Sequence, residues 1–247
     1  MDSERANGIA KEIQEVSNGT EISPYLWRII KRPEIYRALV DLVANGEEVL
    51  ADKHIETSYK HSIDVATIAE AFADEFKDSF NQEKKDTFVT AALLHDIGKR
   101  KVNPEILLKN GKPTDEERKE IERHVYEGWE ICQNIADKIR ELNPERAELM
   151  SGVIAEIVFR HQAHGNGHSY PAPEAFHRHQ DPETEELISE MSKKISVIDI
   201  FDALNSYRAY RVPADKPEIE RLLKTKFPEE DEWINFLINN FIDDQEG

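Results

Sequence analysis

Apolar residues recur three or four positions apart along most of the chain, which is the spacing of a helix with one buried face. The first such run covers residues 24–50 and is interrupted at Pro33, because proline breaks a helix interior. Thr114 followed by Glu117 forms a capping-box pattern that marks a further helix start. The same periodicity predicts helices over residues 57–77, 83–97, 104–109, 114–136, 143–164 and 183–210, with a last pair beginning at Pro217.

Strand signals are weak throughout the chain. No stretch alternates apolar and polar residues for long, and no Asn-Gly turn lies between alternating runs. The pattern therefore predicts an all-α fold with a helical bundle over residues 51–215. Residues 1–50 are expected to form a helical N-terminal extension, and residues 216–247 are expected to form helices that pack on the core. The segment 163–182 is the longest without predicted structure, and loops of that length are usually functional or mobile.

The N-terminal extension is too short for a sensor domain of its own. Its apolar residues predict a face that either packs on the core or mediates a homodimer, and core packing is the commoner outcome. This face comprises Leu26, Trp27, Ile30, Tyr36 and Leu39.

Composition narrows the range of partners. The net charge of −18 at pH 7 disfavours binding to DNA or RNA polymers and to anionic membranes. No apolar run approaches the ~20 residues that span a bilayer, and the polar N-terminus is not a signal peptide, so a cytoplasmic location is expected. The single cysteine, Cys132, cannot form a disulfide within the chain, and its apolar helix position indicates a small buried side chain.

The sharpest chemical signal is AALLHDIGK, residues 91–99, in which an apolar helix ends in His95 and Asp96. Burying an ionisable pair is costly unless the charges are paired or bind a metal, and imidazole with carboxylate suits Fe, Mn or Zn. Lys99 follows His95 by four residues, on the same side of a helix, where it would offset a phosphate charge. The alternative is an ordinary helix C-terminus, in which the side chains of His95 and Lys99 interact favourably with the helix dipole and Gly98 is the cap.

Further metal ligands are needed, and four polar residues embedded in apolar helices are candidates. His61 begins HSIDVATIAEAF, and His124 begins HVYEGWEI, in which Gly128 permits a close approach. His161 ends VIAEIVFRH, and Asp199 lies in ISVIDIFDALNSYRAYR beside a second aspartate at 202. Each alone is more often a satisfied core residue, but their joint occurrence favours a metal site.

The order of His61, His95-Asp96 and Asp199 resembles the HD superfamily of metal-dependent phosphohydrolases. HDIGK followed by NPEILLKNGKPTDEERKEIERHVYEGWEI, the SYP tripeptide and DIFDALNSYRAYR more narrowly resemble the HD-GYP subgroup. The resemblance covers roughly residues 55–211. It implies hydrolysis of cyclic di-GMP or a related cyclic dinucleotide, and thus a nucleotide or phosphoester substrate.

The stretch RHQAHGNGHSYP, residues 160–171, departs from that subgroup. The subgroup has two adjacent histidines and a glutamate, then Asp-Gly and Gly-Tyr-Pro. Here His161 matches the first histidine, whereas Gln162 and Ala163 replace the second histidine and the glutamate, and Ser169 replaces the glycine. His164 or water is a candidate for the missing ligand position. Thr57 stands where three-metal members carry a glutamate, so the resemblance makes a third metal unexpected.

The resemblance implies two divalent ions, Fe or Mn, with Ni, Zn or Mg as alternatives. A hydroxide bound to the metals would attack phosphorus, and Asp96 would bridge both ions. A one-metal site and a site without functional metal stay open because Gln162 replaces a ligand. The implied ligand sets are His61, His95, Asp96 and Asp199 for one ion, and Asp96, His124 and His161 for the other.

Several side chains are expected to bind substrate. Lys99 would offset charge on phosphoryl oxygens, and Arg208 and Arg211 would present guanidinium groups to phosphate. Surface salt bridging is the alternative for the two arginines. Tyr170 and His164 lie on the loop that would cover the cleft, whereas a solvated loop is an equal expectation for His177 and His179.

Two other functions are compatible with the sequence. One is an HD phosphohydrolase that acts on another nucleotide or a phosphomonoester, which the altered SYP loop supports. The other is a degenerate regulatory or binding module, which the loss of a histidine and the loop glutamate supports. The intact set of buried polar residues argues against the second.

Overall fold

The structure is a computed structural model that describes residues 22–44, 51–109, 111–206 and 213–242. The regular structure of these residues is helical. No strand occurs among these residues, so the predicted all-α class is confirmed. The α-helices are α1 (Pro24–Ile30), α2 (Pro33–Ala44), α3 (Ala51–Glu75), α4 (Gln82–Leu94), α5 (Pro104–Leu107), α6 (Asp115–Glu122), α7 (His124–Ile139), α8 (Pro144–Glu148), α9 (Ala155–Arg160), α10 (Pro182–Asn205), α11 (Lys216–Lys226) and α12 (Asp231–Phe241).

Helix starts follow the capping signals in the sequence. The Thr114 side chain accepts from the backbone N–H of Glu117, and the Glu117 carboxylate accepts from the backbone N–H of Thr114, which completes the predicted capping box. The Asn143 side chain accepts from the backbone N–H of Arg146 and so caps α8, with Pro144 in the first turn. The interruption at Pro33 and the last helix pair also lie where the sequence predicts them.

Several predicted helices have different bounds in the structure: the run 57–77 is Ala51–Glu75, and the run 104–109 ends at Leu107. The run 114–136 is two helices that meet at Arg123, whose N–H bonds back only three residues to Glu120. The run 83–97 ends at Leu94, and a 3₁₀ helix follows over Ile97–Lys101. The prediction 183–210 is correct in type but ends at Asn205, since Ser206 has extended backbone angles.

The predicted helix 143–164 is wrong at its C-terminal end. It continues from α8 through a π-helical segment, Leu149–Ile154, into α9, which stops at Arg160. The chain then turns, as the N–H of Ala163 bonds to the carbonyl of Arg160, and the left-handed Gly165 and Gly167 exclude a continued helix. His164 therefore lies in a loop, outside the helix.

The core lies between α3, α4, α9 and α10: α3 packs on α4 and α10, and α9 also packs on α4 and α10. Phe72 of α3 is 1% exposed and packs against Phe88 of α4 and Phe236 of α12, with ring centroids 6.1 and 5.5 Å apart. Cys132 is fully buried, as predicted, and burial raises its pKa to about 12. The chemistry-bearing residues sit at the edge of this core, on the ends of the helices that form it.

The N-terminal helices α1 and α2 pack on the same core. Leu26, Ile30 and Leu39 have 0% exposure, so the apolar face of the extension is covered by the chain itself. Asp86 of α4 fastens this packing, because it accepts hydrogen bonds from Tyr25 at 2.7 Å and from Arg32 at 2.5 Å. Residues 1–21 and 45–50 of the predicted extension lie outside the described residues, and the boundaries at 50 and 215 stay predictions.

The long loop between α9 and α10 contains one 3₁₀ turn, Pro173–Ala175. The buried guanidinium of Arg160 ties it down, since it pairs with Glu156 at 3.0 Å and Glu185 at 2.8 Å and donates to the carbonyl of His177. The imidazole of His177 in turn contacts Glu156 at 2.9 Å and stacks on Trp129. In the described part of the chain, no helix is both long and apolar enough to cross a membrane.

Candidate metal centre

Six polar side chains from five separate segments meet in one buried cluster. His61 projects from α3, His95 and Asp96 follow the end of α4, and His124 begins α7. His161 follows α9, and Asp199 lies on α10. None of the six is more than 7% exposed. The sequence-predicted metal ligands are therefore neighbours in space.

The carboxylate of Asp96 lies between two pairs of imidazole rings. Its Oδ2 atom is 3.6 Å from Nε2 of His61 and 3.3 Å from Nε2 of His95. Its Oδ1 atom is 3.3 Å from Nε2 of His124 and 3.8 Å from Nε2 of His161. One carboxylate oxygen thus faces each pair.

Backbone contacts orient three of these rings. Nδ1 of His95, His124 and His161 lies 2.7 Å from the carbonyl oxygen of the residue three positions earlier in each case. A carbonyl only accepts, so Nδ1 carries the proton, and the Nε2 lone pair of each ring points toward Asp96. Hydrogen bonds at the remote nitrogen are the usual way in which proteins orient metal-binding histidines.

Several acceptor atoms of the cluster have no hydrogen-bond donor, and this fits a bound cation. Nε2 of His124 and Nε2 of His161 are 3.4 Å apart, although both present lone pairs. Nε2 of His95 and Oδ1 of Asp96 are buried without a hydrogen-bond partner in the described part of the chain. Such groups cost free energy unless something satisfies them. A divalent metal with nitrogen and oxygen ligands does so.

Burial keeps two of the rings neutral. Desolvation lowers the pKa of His124 to about 4 and that of His161 to about 3, with smaller contributions from neighbouring basic side chains. Neutral imidazole is the form that binds metals, so both rings are ready as ligands at pH 7. Burial acts to raise the pKa of Asp96, but the charge of the Lys99 ammonium and contacts with the neighbouring imidazoles hold it well below its usual range, and Asp96 is anionic.

His61 is held between two aspartates of α10. Its Nε2 is 3.0 Å from Oδ1 of Asp199, and its Nδ1 is 2.7 Å from Oδ2 of Asp202. Burial acts to lower the pKa of His61, but these two carboxylates raise it to about 9. The pKa of Asp199 moves down, because the hydrogen bond and charge of His61 outweigh the effect of burial.

Asp202 is a site residue to which the sequence analysis gave no role. It contacts the outer nitrogen of His61 rather than the centre of the cluster, and it accepts a further hydrogen bond from Ser206 at 3.1 Å. A signal was present in the sequence, since Asp199 and Asp202 are three positions apart and share one helix face. Carboxylates in this position orient metal-ligating histidines.

Two glycines bring the halves of the cluster together. The backbone N of Gly98 is 3.6 Å from the position that a Cβ atom on Gly128 would occupy. A Cβ on Gly98 would lie 1.9 Å from the carbonyl oxygen of His124. The chain after Asp96 therefore lies directly against the first turns of α7, in agreement with the close approach predicted at Gly128.

A model of the HD domain family matches residues 58–204, more than half of the chain. The chain belongs to the HD domain family. The resemblance drawn from His61, His95-Asp96 and Asp199 is thereby confirmed at the level of the superfamily. HD domains bind divalent metals, and the histidine and aspartate cluster provides groups of three ligand atoms within 4.8 Å of one another.

Three curated relatives are similar over much of this chain. A probable cyclic di-GMP phosphodiesterase of Vibrio cholerae is 28% identical over 171 residues, which are 66% of this chain and 34% of that protein. A cyclic di-GMP phosphodiesterase of Pseudomonas aeruginosa is 29% identical over 187 residues, which are 74% of this chain and 36% of that protein. A 3'3'-cGAMP-specific phosphodiesterase of Vibrio cholerae is 26% identical over 226 residues, which are 89% of this chain and 39% of that protein. The chain spans less than two fifths of the length of each of these relatives.

Gln162 and His164 do not take the place that the second histidine has in the HD-GYP pattern. The Gln162 side-chain amide donates to Oδ2 of Asp199 at 2.8 Å. Nε2 of His164 is 2.7 Å from the hydroxyl of Ser192. Within the described part of the chain, His164 does not belong to any set of three residues whose ligand atoms lie within 4.8 Å of one another. Burial and nearby cations lower the pKa of His164 to about 4, so the ring is neutral. The geometry thus disfavours His164 as a replacement ligand.

The other predicted site residues have different outcomes. Lys99 belongs to the 3₁₀ helix rather than continuing the helix of His95, and its ammonium contacts the carboxylate of Asp96 directly. The ring of Tyr170 stands edge-on to that of His124, with centroids 6.1 Å apart. Arg208 and Arg211 lie outside the described residues, as does the Thr57 side chain.

Proposed function

We propose that this HD domain is a metal-dependent phosphodiesterase that hydrolyses a cyclic dinucleotide. The observation that carries the proposal is the Asp96 carboxylate, whose two oxygens face two separate pairs of Nε2 atoms. In this arrangement one carboxylate would help to hold a cation on each side. The names of the relatives, which act on cyclic di-GMP or 3'3'-cGAMP, support the substrate class.

Two ions, Fe or Mn, are proposed for the centre. A divalent metal bound there supplies Lewis-acid polarisation of a phosphoryl oxygen and a water of lowered pKa. The mixture of imidazole and carboxylate ligands suits these metals. The residues that would hold them are His61, His95, Asp96 and Asp199 on one side, and Asp96, His124 and His161 on the other.

Other side chains prepare the site for a phosphate ester. Asp202 orients the His61 ring through Nδ1. Lys99 places a cation beside Asp96, where it would offset charge on the phosphoryl oxygens. Burial and the nearby carboxylates raise the pKa of Tyr170, so its hydroxyl stays protonated and would act as a hydrogen-bond donor to substrate.

The proposal is tested with protein purified without oxygen and loaded with Fe(II) or Mn(II). Cyclic di-GMP and 3'3'-cGAMP are incubated separately, and the linear products are separated by chromatography. We expect turnover with the wild type and none with Asp96→Asn. Asp137→Asn removes an exposed carboxylate paired with Arg140 and serves as the matched control. Equal turnover in Asp96→Asn and the wild type would contradict the proposal, provided that circular dichroism shows the same helicity.

A second candidate is favoured by the contact between Gln162 and Asp199. That hydrogen bond engages a proposed ligand with a neutral amide donor where the HD-GYP pattern has a histidine. A chain with this change would act on another nucleotide or phosphomonoester, or would bind a nucleotide without turnover. A panel of phosphate esters distinguishes the first case. Calorimetry that detects bound metal and bound cyclic dinucleotide without any product identifies the second.

A further inference from the structure

A second cavity, of about 450 Å³, lies away from the metal centre. It is enclosed by the start of α2, the end of the 3₁₀ helix Ile97–Lys101, the outer half of α7 and the segment that leads into α8. None of the residues of the metal centre lines it. A volume of about 300–1,000 Å³ is typical of cavities that bind small molecules.

Four cationic side chains and one carboxylate line this cavity. Arg100, Lys101, Lys138 and Arg146 face a single carboxylate, that of Glu34. Arg146 pairs with Glu34 at 3.1 Å. In the described part of the chain, Arg100, Lys101 and Lys138 form no ion pair. Three like charges around one cavity repel one another and are unexpected in a chain with a net charge of −18.

One wall of the cavity is apolar. Ile131, Ile135 and Ile139 are four residues apart and form one stripe along α7 that lines it. Leu142 extends this wall and is 87% exposed, an unusual state for a large aliphatic side chain. Contact with the apolar body of a ligand would bury the surface of this wall away from water, which is favourable.

Two amide side chains complete the lining. The Oδ1 atom of Asn143 already caps α8 by accepting from the backbone N–H of Arg146, so its NH₂ group remains as a donor. Asn134 is exposed at the cavity and offers both a donor and an acceptor. Hydrogen bonds with these amides would fix the orientation of a polar ring bound in the cavity.

We propose that this cavity binds a small organic phosphate, in which a phosphoryl group is attached to an apolar or aromatic body. The phosphoryl group would lie among Arg100, Lys101 and Lys138, where charge-assisted hydrogen bonds replace the repulsion between the cations. The body would lie against the isoleucine stripe and Leu142. This binding site does not depend on the proposed hydrolytic activity, because it shares no residue with the metal centre.

The proposal is tested by calorimetry on the full metal-loaded chain with three probes. GMP presents an aromatic body, hexyl phosphate presents an aliphatic body, and inorganic phosphate presents none. We expect GMP or hexyl phosphate to bind at least about tenfold more tightly than inorganic phosphate, and the stronger of the two identifies the type of body. Equal affinity of all three probes, or no binding of either organic phosphate, would overturn the proposal.

Variants locate the binding. The double variant Arg100→Glu with Lys138→Glu should weaken binding of the organic phosphate by about tenfold or more, since two cations become anions. Lys112→Glu reverses the charge of one exposed residue outside the cavity and should leave the affinity unchanged. Asp96→Asn should also keep it. If Asp96→Asn abolishes binding while the double variant retains it, the ligand binds at the metal centre and the proposal is wrong. Thermal unfolding checks that each variant is folded.

Discussion

The substitution Gly98→Ala tests the packing that joins the two halves of the metal centre. A Cβ atom at this position would lie 1.9 Å from the carbonyl oxygen of His124 and 2.6 Å from the backbone N of Gly128. Both contacts are with backbone, so no side-chain rotation relieves them. Because Gly98 lacks a positive φ, alanine is excluded by this contact and not by its own backbone angles.

The size of the effect follows from these distances. Contacts of Cβ below 3.0 Å are essentially never seen, so the start of α7 must retreat by at least about 1.1 Å from its contact at 1.9 Å. His124 begins that helix, and its Nε2 is now 3.3 Å from Oδ1 of Asp96. Overpacking of this kind costs about 1–3 kcal/mol, and a backbone clash belongs at the upper end. Functional geometry tolerates displacements of only about 0.5 Å, so metal binding should weaken as well.

Gly128→Ala provides the matched control. Its Cβ would meet a side-chain methyl group of Val158 at 2.9 Å and the backbone N of Gly98 only at 3.6 Å. A small movement of the valine relieves the contact, and alanine is favoured over glycine inside a helix by about 1 kcal/mol. We therefore expect Gly128→Ala to change the free energy of unfolding by no more than about 1 kcal/mol in either direction.

Urea unfolding of both variants and calorimetric titration with Mn(II) measure these effects. Gly98→Ala should lose about 3 kcal/mol of unfolding free energy and at least about tenfold in metal affinity. The reasoning is refuted if Gly98→Ala and Gly128→Ala have the same stability and both bind Mn(II) as the wild type does.

Three further predictions follow from other contacts. Asp202→Asn keeps an acceptor for His61 but removes its charge, and should weaken Mn(II) binding about 10–100-fold by calorimetry; unchanged affinity would contradict an orienting role. Burial acts to raise the pKa of Asp86, but hydrogen bonds from a tyrosine and an arginine lower it overall. Asp86 therefore stabilises the fold above the ordinary aspartate pKa of about 3.9. This stabilisation is lost as the pH falls through the lower pKa of the folded state. Asp86→Asn should accordingly lose about 1 kcal/mol in urea unfolding at pH 7 and less at pH 3, and a loss independent of pH would be inconsistent with this cause. Arg160→Met leaves Glu156 buried without its cation and should cost about 3–5 kcal/mol, and adding Glu156→Gln should recover part of that loss.

Local features of the structure are those that the sequence predicts best. The periodicity of apolar residues located the helices, and Thr114 with Glu117 marked a helix start that has the predicted capping box. The sequence also identified the polar residues of the cluster, because imidazoles and carboxylates in apolar helices need a partner. Each of these inferences depends on residues within a few turns of one another.

The errors lie where distant contacts decide the local structure. The helix through residues 114–136 is divided at Arg123, next to His124, whose ring is engaged in the cluster. The helix that was expected to reach 164 ends at Arg160, whose side chain binds the loop that follows. Periodicity alone does not register either effect, because it carries no information on what packs against a helix end.

By itself, the sequence determined the helical class of the chain, its membership of the HD superfamily and the residue types available for a metal centre. Only the tertiary structure decided that Asp96 faces two pairs of imidazoles, that Gln162 donates to Asp199, and that Arg100, Lys101 and Lys138 meet at a cavity away from the metal centre. The physical reason is the range of the interactions. Helix formation depends on hydrogen bonds and side chains about four residues apart, whereas His61 and Asp199 meet across 138 positions through the packing of α3 on α10.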